Sequence, residues 1–231
     1  MTSEYSIAEA APSDADAIAT LFSQTWTSPF TILQFGQMNP SSLAEAMAPR
    51  ILEQMSKPHS KFLVARKSNN GQVIAVAQWS VPVNNGDGGT ADNETPEQRD
   101  DRQRFEDETY RNKLPENSNK DLIMEFTAGL RQLRHQVLGR KKHYLLENLA
   151  THPDHRGRGL ASQLIEWVFP HADKNRFLVY LDTASDNPAM RLYKRLGFVE
   201  KGSHTIDDLS RFGGEGSHTH VALIRDPKTG A

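Results

Sequence analysis

The sequence predicts an α/β protein built on one mixed central sheet with helices on its faces, and three observations carry that expectation. Runs of β-forming residues alternate with stretches of helical apolar spacing along the 231 residues. Near the middle of the second half, a strand, a glycine-bearing turn and an amphipathic helix follow one another directly. The composition, 24% charged and 37% in the Ala, Val, Ile, Leu, Met, Phe, Trp, Tyr and Cys set, is that of an ordinary globular domain and leaves enough apolar mass for a core.

Tyr5 to Glu9 reads as a short first strand. Ser13-Asp14-Ala15-Asp16 follows as a capping box with Ser13 as N-cap, and Ile18, Leu21, Phe22 and Thr25 continue at helical spacing. Ser42-Leu43-Ala44-Glu45 opens a second helix through Met47, Ile51 and Met55, which Pro49 should bend or split. Lys61 to Arg66 and Gln72 to Val81 are β-rich and form a hairpin around Ser68-Asn69-Asn70-Gly71. Between Asn84 and Asp121 polar residues dominate, and Phe105, Tyr110 and Leu114 are nearly alone as large apolar side chains. Such a stretch reads as an insertion, with a solvated helix near Pro96 to Lys113. Leu122, Phe126, Leu130, Leu133 and Val137 then share one helix face, and the insertion as a whole is placed at about 84–140.

His143 to Thr151 is the next strand. Leu160, Leu164, Ile165 and Val168 mark a helix ending near Pro170, and Arg176 to Leu181 is a short apolar strand. Ala189, Leu192, Tyr193 and Leu196 form a helical stripe closed by Gly197. Phe198 to Thr205 and His218 to Arg225 complete the sheet across a Gly213-Gly214-Glu215-Gly216 turn. The order is βααββ, an insertion, then βαβαββ, in a single domain over 1–231.

The formal net charge of −2 gives no bulk attraction to nucleic acid or an anionic membrane. Without cysteine there is no disulfide, no thiolate nucleophile and no cysteine-ligated zinc. The first residues carry neither a basic stretch nor an apolar run, and no window approaches the ~18 apolar residues of a membrane span. A soluble, cytoplasmic protein is expected.

The most informative segment is Leu149-Ala150-Thr151-His152-Pro153-Asp154-His155-Arg156-Gly157-Arg158-Gly159-Leu160-Ala161. Glycines at alternate positions where a strand turns into a helix let a ligand approach the backbone, and the freed N–H groups suit a pyrophosphate, with Arg156 and Arg158 adding positive charge. On spacing alone, a plain strand-to-helix turn explains Gly157 and Gly159 equally well. A Rossmann fingerprint is incomplete, with Ser162 at its third glycine position, and no Walker A pattern exists in the chain.

This segment resembles the acetyl-CoA-binding motif of the GNAT N-acetyltransferase superfamily, Q/R-x-x-G-x-G/A at a helix start. Asn187-Pro188-Ala189-Met190-Arg191-Leu192-Tyr193-Lys194-Arg195-Leu196-Gly197-Phe198 resembles that superfamily's later helix, and the order of elements agrees. The long insertion and the Gly-Gly-Glu-Gly turn resemble the fungal-type small members. Two departures stand out. Asp154 occupies the position of the motif's Gln or Arg, and Asn187 lies six residues before Tyr193 rather than seven, so that Asp186 competes for its place.

The resemblance implies a GNAT fold, acetyl-CoA as co-substrate without a metal, and direct attack of a primary amine on the thioester. It implies cofactor contacts from the backbone of Leu149, Ala150 and Thr151, from the main-chain N–H groups of Arg156, Gly157, Arg158, Gly159, Leu160 and Ala161, and from Asn187. Tyr193 matches the tyrosine that reaches the CoA sulfur; the competing reading is a ring that only packs with Leu192 and Leu196. Glu147, inside an otherwise apolar strand, is the first choice for the base, against a role as ion partner for Arg134 or Arg140. Asp182 is the second carboxylate. His152, His155, His204, His218 and His220 are weighed as metal ligands and set aside as surface or acceptor-pocket residues. The expected partner is a small-molecule amine, with no nucleic acid and no membrane, in a monomer or homodimer. A protein lysine or N-terminal acetyltransferase and a non-catalytic acyl-CoA sensor are the alternatives.

Overall fold

The structure is a computed structural model that describes residues 4–37, 39–82 and 95–228. Seven strands, β1 (Tyr5–Glu9), β2 (Ser60–Lys67), β3 (Val73–Ser80), β4 (His143–Thr151), β5 (Leu178–Ala184), β6 (Val199–Ile206) and β7 (His218–Arg225), form one sheet in the order β1-β2-β3-β4-β5-β7-β6. Only β4 and β5 run parallel; every other pairing is antiparallel.

Side chains alternate across the strands and so feed two layers. Leu63, Leu146, Leu181 and Leu223 pack with α6 (Leu160–Glu166), α7 (Phe169–Asn175) and α8 (Met190–Arg195). On the opposite face, Phe62, Val64, Val76 and Ala150 meet α1 (Ala15–Thr25) and α3 (Pro40–Met55). On that same face Leu145, Tyr180, Ala222 and Ile224 meet Leu133 and Leu138 of α5 (Lys120–Leu138).

Several expectations change in detail. Ser13 does not cap α1: a 3₁₀ turn over Pro12–Asp14 precedes it, and Asp14 instead accepts the Ala11 N–H (2.7 Å) and pairs with Arg66. An additional helix, α2 (Pro29–Phe35), is started by Ser28, whose Oγ accepts from the Thr31 N–H (3.1 Å), with Pro29 in the first turn. The helix expected to run to Pro170 breaks at Trp167 and Val168, because proline has no N–H for the Glu166 carbonyl; Pro170 begins α7 instead. Arg176 caps α7 in a left-handed conformation (φ 55°), so β5 starts at Leu178 and continues to Ala184, placing Asp182 within the strand.

The segment expected as an insertion divides in two. Residues 83–94 lie outside the described part. α4 (Pro96–Lys113) is solvated as expected, capped by Thr95 and Gln98 and tied to α5 by the Arg131–Asp107 pair (2.9 and 3.0 Å). α5 carries the apolar face expected from Leu122 to Val137 and buries Leu122, Ile123, Leu133 and Leu138. It approaches β6 so closely that a Cβ on Gly129 would lie 2.0 Å from His204 Nε2.

Candidate active site

The site begins with a defect in the sheet. Gln78 is opposite Asn148 and Trp79 is opposite Leu146, so Glu147 is an extra residue in β4, a β-bulge. Leu146 and Leu149 face α6 while Leu145 and Ala150 face the other layer. The bulge therefore leaves Glu147 and Asn148 together beside Gln78, on the face covered by α1, α3 and α5. Beyond the bulge β4 and β5 part: their pairing ends at Leu146 and Leu181, although β4 stays paired with β3 as far as Thr151.

The His152 N–H bonds to the Ile74 carbonyl (2.8 Å), which fixes the alternation of that ladder. Asn148 and Ala150 point their backbone groups at β3, and those of Leu149 and Thr151 face the gap. The gap opens into a cavity of about 870 Å³ that passes through the sheet. Arg156, Gly157, Ala161, Leu192 and Tyr193 line its α6 side. Glu147, Asp182, His218, His220, Phe30 and Phe126 line the other.

On the α6 side, Gly157 and Gly159 both have φ of 76°, which side chains resist, so no side chain projects from these two positions of the turn. Arg156 is exposed at the cavity, whereas Arg158 turns outward to Glu4 (3.1 Å to both oxygens) and does not line it. Gly159 and Leu160 also stand behind the lining. The Asp154 side chain is 84% exposed. Asn187 is occupied within the protein, donating to Thr183 Oγ1 (2.7 Å) and accepting from the Ala189 N–H (2.9 Å). Tyr193 is 5% exposed, its ring set edge-on to Phe198, and burial pushes its phenol up to about 12. It stays protonated at neutral pH.

On the opposite side, Asn148 Nδ2 donates to Gln78 Oε1 (2.8 Å) and Gln78 Nε2 donates to Glu147 Oε2 (2.7 Å). Gln78 is buried; a polar residue inside the apolar run Val73–Val81 was the available sequence signal for it. Glu147 is exposed only in the sense that it faces the cavity; protein surrounds it, and that burial raises its carboxyl pKa against Arg134, His59 and Lys57, which lower it. Asp182 lies 3.7 Å from Arg134 and 3.7 Å from His220 Nδ1. His218 stacks on Phe30 with centroids 3.5 Å apart, and its pKa is pushed down to about 4, by burial first and then by His220, with Asp186 opposing. Phe30, from the helix absent in the sequence reading, and Phe126 of α5 complete this aromatic wall.

The other histidines are dispersed. His204 lies under Gly129, and His155 bonds to the Tyr5 hydroxyl (3.0 Å). Among the described residues, no group of three or more His, Asp or Glu could hold a metal ion, and no helix is long and apolar enough to cross a membrane.

The comparisons with known proteins agree with this geometry. The model of the acetyltransferase (GNAT) family matches residues 16–198. No curated relative matches by sequence. Among solved structures, the chain is similar to a histone acetyltransferase HPA2 and related acetyltransferase from Corynebacterium glutamicum (19% identity, TM-score 0.59, 99% of each chain covered). It is also similar to an agmatine N-acetyltransferase (16%, TM-score 0.60, 96% of this chain and 100% of that one). A third is the ribosomal-protein-S18-alanine N-acetyltransferase from Escherichia coli (13%, TM-score 0.52, 98% and 96%). The seven-stranded mixed sheet with its helical layers is thus the GNAT fold, and the chain belongs to the GNAT acetyltransferase family, whose co-substrate is acetyl-CoA.

Proposed function

We propose that this protein transfers an acetyl group from acetyl-CoA to a primary amine of a small molecule, across the gap between β4 and β5. The observation that carries this reading is the cavity through the sheet, with unpaired backbone and a phenol on one side and carboxylates on the other. The residues present fit the cofactor. Leu149 and Thr151 offer N–H and C=O groups to an amide-bearing arm, as an added strand would find them, with Ala150 between them holding the strand to β3. The turn from Gly157 to Ala161 offers main-chain N–H groups to a pyrophosphate, and Arg156, whose own N–H is taken by the Pro153 carbonyl (3.3 Å), adds its charge. Arg158 helps by holding the turn to Glu4, and Asn187 by shaping the start of α8.

Acetyl-CoA supplies the activated acyl group. The chain holds the two reactants on opposite sides of one opening, which converts encounter into positioning. Tyr193 keeps its proton at neutral pH and donates to the departing sulfur. Glu147 and Asp182 draw the cationic acceptor and provide capacity for its proton. A small acceptor is favoured because the acceptor end is lined by Trp26, Gln34 and the wall that Phe30 and Phe126 form together, centroids 5.0 Å apart. The agmatine enzyme among the similar folds acts, by its name, on a compact cationic amine.

The test is thiol release from acetyl-CoA with a panel of agmatine, putrescine, benzylamine, tryptamine and a lysine-containing peptide, with thermal stabilisation by acetyl-CoA read in parallel. Turnover of the small amines is expected. Turnover of the peptide alone would move the acceptor to proteins, and stabilisation without any turnover would make the chain a sensor. Tyr193→Phe should lower kcat about 10²-fold with the KM for acetyl-CoA nearly unchanged; an unchanged kcat would remove Tyr193 as the acid.

A further inference from the structure

The buried polar groups around Asp182 are left with unused hydrogen-bonding capacity. Among the described residues, Arg134 Nε and His220 Nδ1 are inaccessible to solvent and have no hydrogen-bond partner, and the Tyr180 hydroxyl, equally buried, engages Arg134 and Asp182 only loosely. A fold that only needed to bury an aspartate would close these contacts, because each unmet group costs ~1–3 kcal/mol. All three come from different elements, α5, β5 and β7, and Asp182 lies between them. Its Oδ2 is 3.7 Å from Arg134 Nη2 and its Oδ1 is 3.7 Å from His220 Nδ1. The two nitrogens of the His220 ring differ. Nδ1 is sealed on the Asp182 side, whereas Nε2 is not sealed and takes no bond from the protein, in a residue that lines the cavity.

We propose that His220 is the proton acceptor for the incoming amine, with Asp182 as its positioning residue. Asp182 keeps the neutral ring in the Nδ1–H form, so that the Nε2 lone pair faces the acceptor. The N–H bond of the ammonium breaks as an N–H bond forms at Nε2, and the freed nitrogen lone pair attacks the acyl carbon. The imidazolium is held by the Asp182 carboxylate and returns its proton to solvent after the acetylated amine leaves; as the C–S bond breaks the sulfur takes the Tyr193 proton, and the second proton shed by the attacking nitrogen restores the phenol. Every group that faces the ring fits this assignment. Asp182 on β5 favours the cation. His218, its neighbour on β7 with centroids 5.0 Å apart, is neutral near pH 7 and adds no competing charge. Arg134 on α5 reaches the ring only through Asp182, and His204 is the cross-strand neighbour on β6. Phe126 closes the α5 side of the ring edge-on at 4.7 Å. Glu147, on the far side of the gap, is then the carboxylate that receives the ammonium.

This assignment rests on the acetyl-transfer reading, and its test separates the two. The ¹⁵N spectrum of the histidine-labelled protein requires no acceptor: His220 should be the Nδ1–H tautomer when neutral, and a dominant Nε2–H tautomer overturns the proposal. In kinetics with whichever amine of the panel turns over, His220→Asn should lower kcat about 10²-fold or more. Thermal stabilisation by acetyl-CoA should persist, which excludes a folding defect. Asp182→Asn should lower kcat and raise the Nε2–H share of the neutral His220 ring in the ¹⁵N spectrum, with stabilisation by acetyl-CoA unchanged. A kcat that stays at the wild-type value in His220→Asn overturns the proton route while leaving acetyl transfer intact. Absence of turnover in the wild type overturns the acetyl-transfer reading itself.

Discussion

Two aspartates of this protein meet arginines beside the same strands, and they do so in opposite ways. Asp173 of α7 accepts two bonds from Arg225 of β7 (2.8 and 2.9 Å) and a third from the Lys228 N–H (2.8 Å). The Arg225 guanidinium is 3% exposed and lies 3.9 Å over the Phe169 ring. Among the described residues, Asp182 has only long ion-pair contacts, with under-used donors around it. The first pair is closed, and all of its capacity is spent inside the protein. The second is held open at a cavity. A closed pair anchors a helix to the sheet; an open one keeps charge and donors in reserve for something that arrives.

The comparison breaks most readily at the closed pair. Asp173→Asn leaves a buried guanidinium without its counter-charge, and the expected loss is about 3–5 kcal/mol in denaturant unfolding at pH 7. The bonds from Arg225 hold the Asp173 carboxyl below the usual range, with burial opposing them. A depressed folded pKa means that the stabilisation is complete above the unfolded carboxylate pKa and is lost as pH falls through the folded value. Wild type and variant should therefore converge in acid. Acetyl-CoA should still stabilise the variant, because the pair is not part of the cavity lining.

The same substitution logic at the open pair should give a much smaller effect. Arg134 is 36% exposed, lies 3.7 Å from Asp182 and sits 5.6 Å over the Tyr180 ring, so Arg134→Gln should change stability by less than about 1 kcal/mol. A loss as large as that of Asp173→Asn would erase the distinction between the two pairs. Acetyl transfer should nonetheless respond, since Arg134 also lowers the pKa of Glu147.

The two sides of the cavity were unequally legible from sequence. The α6 side consists of consecutive backbone, a strand, two glycines and a helix start, and Gly157, Gly159 and Tyr193 were read from spacing within short motifs. Even there, Arg158 misled: its neighbour Glu4 is 154 positions away, and only the fold reveals that the pair removes it from the cavity. The opposite side is assembled from Phe30, Gln78, Phe126, Glu147, Asp182 and His220, one residue from each of six elements. No local pattern joins these residues, because what brings them together is strand order and the bulge at Glu147. The split character of 84–140 was legible in part. α4 and α5 are both charged, and only the apolar face of α5, visible in Leu122 to Val137, marked it as core.

Glu147 gives the smallest effect on stability, and its sign is informative. Burial raises its carboxyl pKa more than Arg134, His59 and Lys57 lower it. A raised folded pKa means that the contribution to stability is complete below the unfolded pKa, about 4.3 for glutamate, and is lost as pH rises through the folded value. At neutral pH the ionised carboxylate therefore stands as a small liability. Glu147→Gln keeps an acceptor for Gln78 and removes the charge, so its Tm should slightly exceed that of the wild type at pH 7.5, and the two should coincide near pH 4. Acetyl transfer should fall at the same time, because the acceptor loses the carboxylate that receives it. A gain in stability bought with a loss of turnover is what a residue kept for chemistry gives. A lower Tm at pH 7.5 would instead place Glu147 with Asp173, as a carboxylate that the fold needs.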